Sequence, residues 1–80
     1  MNPETIQQLI ESHLDGAQAR VLSDDNVHFE AVVVAEQFAG KRAVARHQLI
    51  YAALGDHMRA DIHALSIRAF TPDEYADQSS

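Results

Sequence analysis

Histidine is the side chain in this sequence best suited to metal chemistry. The chain has five: His13, His28, His47, His57 and His63. A neutral imidazole offers one ring nitrogen to a metal while the other keeps its proton. There is no cysteine, so neither a disulfide nor a thiolate metal site can be built within the chain. A metal held here must use imidazole or carboxylate, or borrow thiolates from another molecule. His28 and His63 stand apart, because each opens a segment of strand character, where a sheet fixes the backbone and a loop exposes the side chain. His13 follows Ile6, Leu9 and Ile10 at helical spacing and reads as a helix-edge packing residue. His47 sits in the apolar stripe of a long helical segment and reads as a partly buried structural histidine. His57 falls near a helix C-terminus, where positive charge is favourable.

A second chemistry is electrostatic. Lys41, Arg42 and Arg46 cluster where the long helix begins, just after Gly40, and helix N-termini attract phosphate. The net charge of -6 opposes strong generic nucleic-acid binding, which needs many cations against the backbone. Phe38-Ala39-Gly40-Lys41 holds one glycine, so the Gly-x-x-Gly loop with which KH domains grip single strands is absent. A solvated helix end is the simpler reading, and a weak nucleic-acid or acidic-partner contact is the alternative. Enzymatic signatures are missing: no Gly-x-Ser-x-Gly, phosphate-cradling glycine loop or metalloprotease motif. Asp24-Asp25 and Asp73-Glu74 are explained by a turn and a helix start. The chain is expected not to be an enzyme.

The elements that must position these residues follow from local pattern. Asn2 can cap a helix with Pro3 at its first position and Glu4 in its first turn. Ile6, Leu9, Ile10 and Leu14 give it one buried face, and Asp15-Gly16 stops it. Ala19 to Ser23 reads as a strand, Asp24-Asp25-Asn26 as a turn, and Phe29 to Ala35 as a second strand. Phe29, Ala31, Val33 and Ala35 share one side of it, and the pair most simply forms an antiparallel hairpin. Phe38 to Lys41 reads as a loop. Arg42 to Met58 is helical, with Val44, His47, Ile50, Tyr51, Leu54 and Met58 on one stripe. Leu49 falls off that stripe, so the helix is either buried on more than one side or broken near Gly55. Ala60-Asp61 is a short connection. Ile62 to Phe70 is a third strand, with His63, Leu65, Ile67 and Ala69 on one face. Thr71-Pro72-Asp73-Glu74 starts a final helical turn, and 77–80 are expected to fray.

The sequence thus predicts one α+β domain over 1–80, in the order helix, strand, strand, helix, strand, short helix. A helical crossover before the last strand favours parallel pairing and hence a mixed three-stranded sheet, with the main helices packed on one face. A chain this short buries only about 60–65% of its unfolded surface. The N-terminus lacks a secretory pattern, and no apolar run approaches the roughly 20 residues of a membrane span. A soluble cytoplasmic protein without membrane contact is the expectation.

Three segments carry a family resemblance: His63-Ala64-Leu65-Ser66-Ile67-Arg68-Ala69-Phe70-Thr71-Pro72, Phe38-Ala39-Gly40-Lys41, and Arg46-His47-Gln48-Leu49-Ile50-Tyr51. Together they resemble the BolA family over nearly the whole chain. The compact hairpin Asp24-Asp25-Asn26-Val27-His28-Phe29 resembles its short bacterial acid-stress branch. The resemblance implies a type II KH-like fold and a non-catalytic partner of monothiol glutaredoxins in iron-sulfur trafficking, iron homeostasis and stress response. It maps the characteristic cluster ligand onto His63 and a second contact onto His28. Two imidazoles cannot complete a two-iron two-sulfur cluster. In the family a glutaredoxin cysteine and a glutathione thiolate supply the rest, so the isolated chain, an expected monomer, carries no cofactor. Only neutral imidazole binds metal, so acidification should weaken retention. The family also includes a member regarded as a DNA-binding transcriptional regulator, for which Lys41, Arg42 and Arg46 would make the phosphate contacts. Glu74-Tyr75 stands where related sequences often have Glu-Trp.

Overall fold

The computed structural model describes residues 1–60, 62 and 64–79, with 59, 60 and 79 described as backbone only. Helix α1 spans Pro3–His13. The Asn2 side-chain oxygen accepts from the Thr5 amide at 2.9 Å and from its hydroxyl at 2.8 Å, satisfying a helix-end donor as the sequence predicts. Ile6 and Ile10 point fully into the core, and Leu14 follows them at the C-cap.

Strands β1 (Gln18–Leu22) and β2 (His28–Val34) form the expected antiparallel hairpin, with Leu22 opposite Glu30 and Gln18 opposite Val34. Asn26 turns the chain with φ of 58°, a left-handed conformation that asparagine tolerates better than most residues. Phe29, Ala31, Val33 and Ala35 are all buried, as strict alternation requires. A 3-10 turn over Glu36–Phe38 leads into the predicted loop and shares Phe38 with it. Phe38 is completely buried, and drawing its ring into the core tightens the backbone into bonds from the amides of Phe38 and Ala39 to the carbonyls of Ala35 and Glu36.

Helix α2 runs from Ala43–Leu54 and a short helix α3 from His57–Ala60. The long helix therefore breaks at Gly55, whose φ of 58° suits glycine. The apolar stripe predicted for α2 is displaced. Val44 is 69% and Tyr51 40% exposed, whereas Ile50, Ala53 and Leu54 are buried. Leu49, off the predicted stripe, packs against the core. The reason is that α2 carries small or apolar residues all round, so its sequence sets no sharp inward direction. The charged Arg46 takes an inward position.

Strand β3 (Ala64–Phe70) pairs in parallel with β2, from His28 opposite Ala64 to Val34 opposite Phe70. The sheet order is β1-β2-β3. This register places Leu65, Ile67 and Ala69 on the side of Phe29, Ala31 and Val33. There the core joins Ile6 and Ile10 of α1 with Ile50 and Leu54 of α2. The opposite face presents Arg20, Leu22, Glu30, Ser66 and Arg68 to solvent. Helix α4 (Pro72–Ser79) extends past the point where fraying was expected. Its start is a capping box: the Thr71 amide donates to Glu74 Oε1 at 2.9 Å, and the Glu74 amide to Thr71 Oγ1 at 3.2 Å. Tyr75 packs its ring 5.8 Å from that of Phe70, so this aromatic side chain meets the sheet. The architecture is the α+β domain with a mixed sheet that the sequence predicts. No helix among the described residues is long and apolar enough to cross a membrane.

Candidate functional site

His28 is held at the sheet rim by the hairpin turn that precedes it. Asp25 Oδ1 accepts from the amides of Val27 and His28, each at 2.9 Å. Its second oxygen receives the His28 ring at Nδ1, also at 2.9 Å. Ser23 closes the turn, its Oγ accepting from the Asn26 amide at 2.9 Å and donating to the His28 carbonyl at 2.6 Å. The Asp25 carboxyl is held well below the usual carboxylate range, first by the His28 amide, then by its ring and the Val27 amide. Asp25 is thus an anion and an acceptor only, so a neutral His28 ring carries its proton on Nδ1. Nε2 has no partner among the described residues, and the His28 side chain is 73% exposed. An oriented imidazole with an open, unprotonated nitrogen can ligate a metal brought by another molecule.

His28 sits opposite Ala64 in the sheet, the residue that follows His63 in the chain. His63 itself lies outside the described residues. Among the described residues no cluster of three or more His, Cys, Asp or Glu side chains could hold a metal ion. A single imidazole would fit the part of a co-ligand in a site whose other donors come from elsewhere. A shallow cleft of about 530 Å³ runs beside His28, with Leu22, Glu30 and Ser66 on its walls.

The other histidines are placed more simply. His13 lies on the helix edge with Nδ1 2.9 Å from the Leu9 carbonyl. His47 is half-buried on α2. His57, read from sequence as near a helix C-terminus, opens α3 because Gly55 has already ended α2.

The basic cluster divides. Lys41 and Arg42 are exposed at the start of α2. Arg46 is turned inward with its side chain only 12% exposed. Its Nε donates to the Lys41 carbonyl at 2.9 Å and Nη1 to the Ala69 carbonyl at 3.0 Å. Nη1 and Nη2 also grip the two Glu74 oxygens at 2.6 and 3.1 Å, and the guanidinium lies 5.9 Å from the Phe38 ring centre. Fork-to-fork pairing of this kind is geometrically specific. The Arg46 hydrogen bond, followed by the Thr71 amide, pulls the Glu74 carboxyl down to about 2. The same pairing raises Arg46. The grouping of Lys41, Arg42 and Arg46 as one solvent-facing patch thus reduces to Lys41 and Arg42, because Arg46 is committed to the fold.

Sequence reading missed two residues, Asp25 and Glu74. Asp25 left one signal: an acid three residues before a histidine in a turn that reverses at Asn26. Glu74 left none for its Arg46 pairing, since the partners are 28 residues apart.

The chain matches the family described as BolA-like protein over residues 1–74. It is 48% identical over 48 residues to the DNA-binding transcriptional regulator BolA of Vibrio cholerae, covering 60% of this chain and 45% of that protein. It is 34% identical over 79 residues to BolA-like protein 1 of Homo sapiens, covering 99% of this chain and 55% of that protein. The chain thus spans about half the length of these curated relatives. Its fold superposes with a TM-score of 0.81 on a BolA homologue from Coxiella burnetii, at 49% identity over 95% of this chain and 97% of the other. With the mixed sheet, the capped helices and the match over nearly every residue in agreement, the chain belongs to the BolA family.

Proposed function

We propose that this chain is a non-enzymatic partner of a monothiol glutaredoxin, sharing a two-iron two-sulfur cluster through His63 and His28. It would act in cytoplasmic iron-sulfur trafficking and iron homeostasis under acid or oxidative stress. The observation that carries this reading is the His28 imidazole: exposed, fixed through Nδ1, open at Nε2, and opposite the residue that follows His63. A chain without cysteine supplies no thiolate itself, and the BolA resemblance implies that the partner and glutathione supply them. When shared, the cluster supplies the transferable iron-sulfur unit, and imidazole makes it less negative than a fourth thiolate would. The chain's own residues bind and orient. Ionised Asp25 keeps the His28 proton on Nδ1, and the hairpin presents Nε2 outward. Protonation of the imidazoles in acid removes the lone pairs that bind.

The test is to mix the protein with a cluster-loaded monothiol glutaredoxin and record visible absorption and circular dichroism. A new spectrum specific to the pair is expected, and an unchanged one would overturn the reading. His28→Ala should preserve the fold, because the side chain is exposed, and should still form the complex. It is expected to speed cluster loss from the pair without abolishing the new spectrum. Greater damage than from His63→Ala would reverse the ranking of the two ligands.

A second reading is direct nucleic-acid binding. It is favoured by relatives named as DNA-binding regulators and by exposed Lys41 and Arg42 at a helix start. Replacing both by Ala should then weaken binding evenly across sequences and flatten its salt dependence by about 0.7–0.9 log units per lost contact. With a net charge of -6, binding is expected only at low salt. If the same pair faces an acidic surface on the glutaredoxin, the double variant instead slows association. Gel-shift titrations at two salt concentrations beside calorimetry with the glutaredoxin separate the two. Tight, sequence-selective binding near physiological salt would promote the regulator reading.

A further inference from the structure

We infer that Asp25 is the positioning residue that fixes the tautomer of His28, so that the ring meets a metal through Nε2. This deepens the proposed function and rests on it for the identity of the metal. The geometry is bifunctional. One Asp25 oxygen closes the turn on the amides of Val27 and His28, while the other reaches the ring of His28. The carboxylate therefore sets the backbone from which the imidazole projects and also the nitrogen that keeps the proton. Ser23 pins the same turn from the other side through Asn26 and the His28 carbonyl. A free imidazole ordinarily favours the proton on Nε2, which would block the outward nitrogen. A carboxylate on the inner nitrogen reverses that preference, and such a partner also raises the basicity of the ligating nitrogen. The exposed ring is thereby prepared for a metal before any partner arrives.

The discriminating variant is Asp25→Asn. Its side-chain oxygen can still accept the two turn amides, but the second group is now an NH2. That group donates to Nδ1 and drives the proton to Nε2. Asp25→Ser is the companion: its hydroxyl can hold the turn but cannot reach the ring. Both folds are checked by amide correlation spectra. The tautomer is read in the free protein from two-bond proton–nitrogen correlations of the labelled imidazole at about pH 8, where an ordinary histidine is neutral.

The native protein is expected to show Nδ1–H at His28, Asp25→Asn to show Nε2–H, and Asp25→Ser to show a mixture. In complex with cluster-loaded glutaredoxin, Asp25→Asn should weaken retention of the cluster by about 10–100-fold, the usual cost of losing such a partner. Nε2–H in the native protein, or an unmoved tautomer in Asp25→Asn, would overturn the inference whatever the cluster does. A shifted tautomer with unchanged retention would also overturn Asp25 as a positioning residue for ligation. His28→Ala tells the two failures apart. If it too leaves retention unchanged, the ligand role of His28 fails; if it speeds loss, only the tautomer argument does.

Discussion

His63→Ala is expected to abolish the spectral change that this chain causes in a cluster-loaded monothiol glutaredoxin, while leaving its own far-ultraviolet circular dichroism intact. The expectation comes from sequence and register together. His63 immediately precedes β3, whose first residue, Ala64, is paired with His28. It also occupies the position where the BolA resemblance carries the characteristic imidazole ligand. His63→Ala removes a donor, and alanine fits the start of a strand without leaving a large cavity. Because the chain has no cysteine, no stronger ligand can replace it. The effect should exceed that of His28→Ala, whose exposed place at the start of β2 leaves room for water as a substitute. A heterocomplex spectrum in His63→Ala identical to that of the native protein would sink the ligand assignment.

Sequence revealed most where the physics is local. The Asn2 cap, the Pro3 start and the Thr71–Glu74 box depend on residues three or four apart, and residue type alone announces them. The alternation of Phe29, Ala31, Val33 and Ala35 sets which face of β2 is buried. Parallel pairing followed from the helix that must cross between β2 and β3. What stayed hidden was direction and distance. Helix α2 is apolar or small nearly all round, so its inward face is chosen by what packs against it. Tyr51 and Val44 lost that competition to Ala53 and to the aliphatic stem of Arg46. At the candidate site, a turn of Ser, Asp, Asp and Asn reads as solvated loop whether or not one acid bites back on the histidine ring. The three-residue spacing to His28 hints at Asp25, and the folded geometry selects it over Asp24.

The Arg46–Glu74 clamp has the largest expected effect on stability among the polar contacts. Arg46 joins four elements: the Lys41 loop, α2 itself, the Ala69 carbonyl of β3, and α4 through Glu74. Arg46→Met keeps the apolar stem but removes every one of these bonds and leaves two carbonyls to find other partners. The thermal midpoint should fall by roughly 4–8 °C, the shift that a loss of about 1 kcal/mol causes in a domain this small. The contribution of Glu74 carries a pH signature. Its carboxyl sits at about 2 in the folded protein against an ordinary 4.5, so the folded state holds this proton less tightly than the unfolded state. The stabilisation is therefore complete above about pH 4.5 and drains away as pH falls toward 2, while Arg46 stays charged throughout. Glu74→Gln should lower the midpoint at neutral pH and flatten this part of the acid limb. Asp25 is also held low and keeps its own share of the acid sensitivity in that variant. Midpoints measured from pH 7 down to about 2 decide it: the gap between native protein and Glu74→Gln should close with acid. A gap of constant size across the range would mean that the pair stabilises by packing alone.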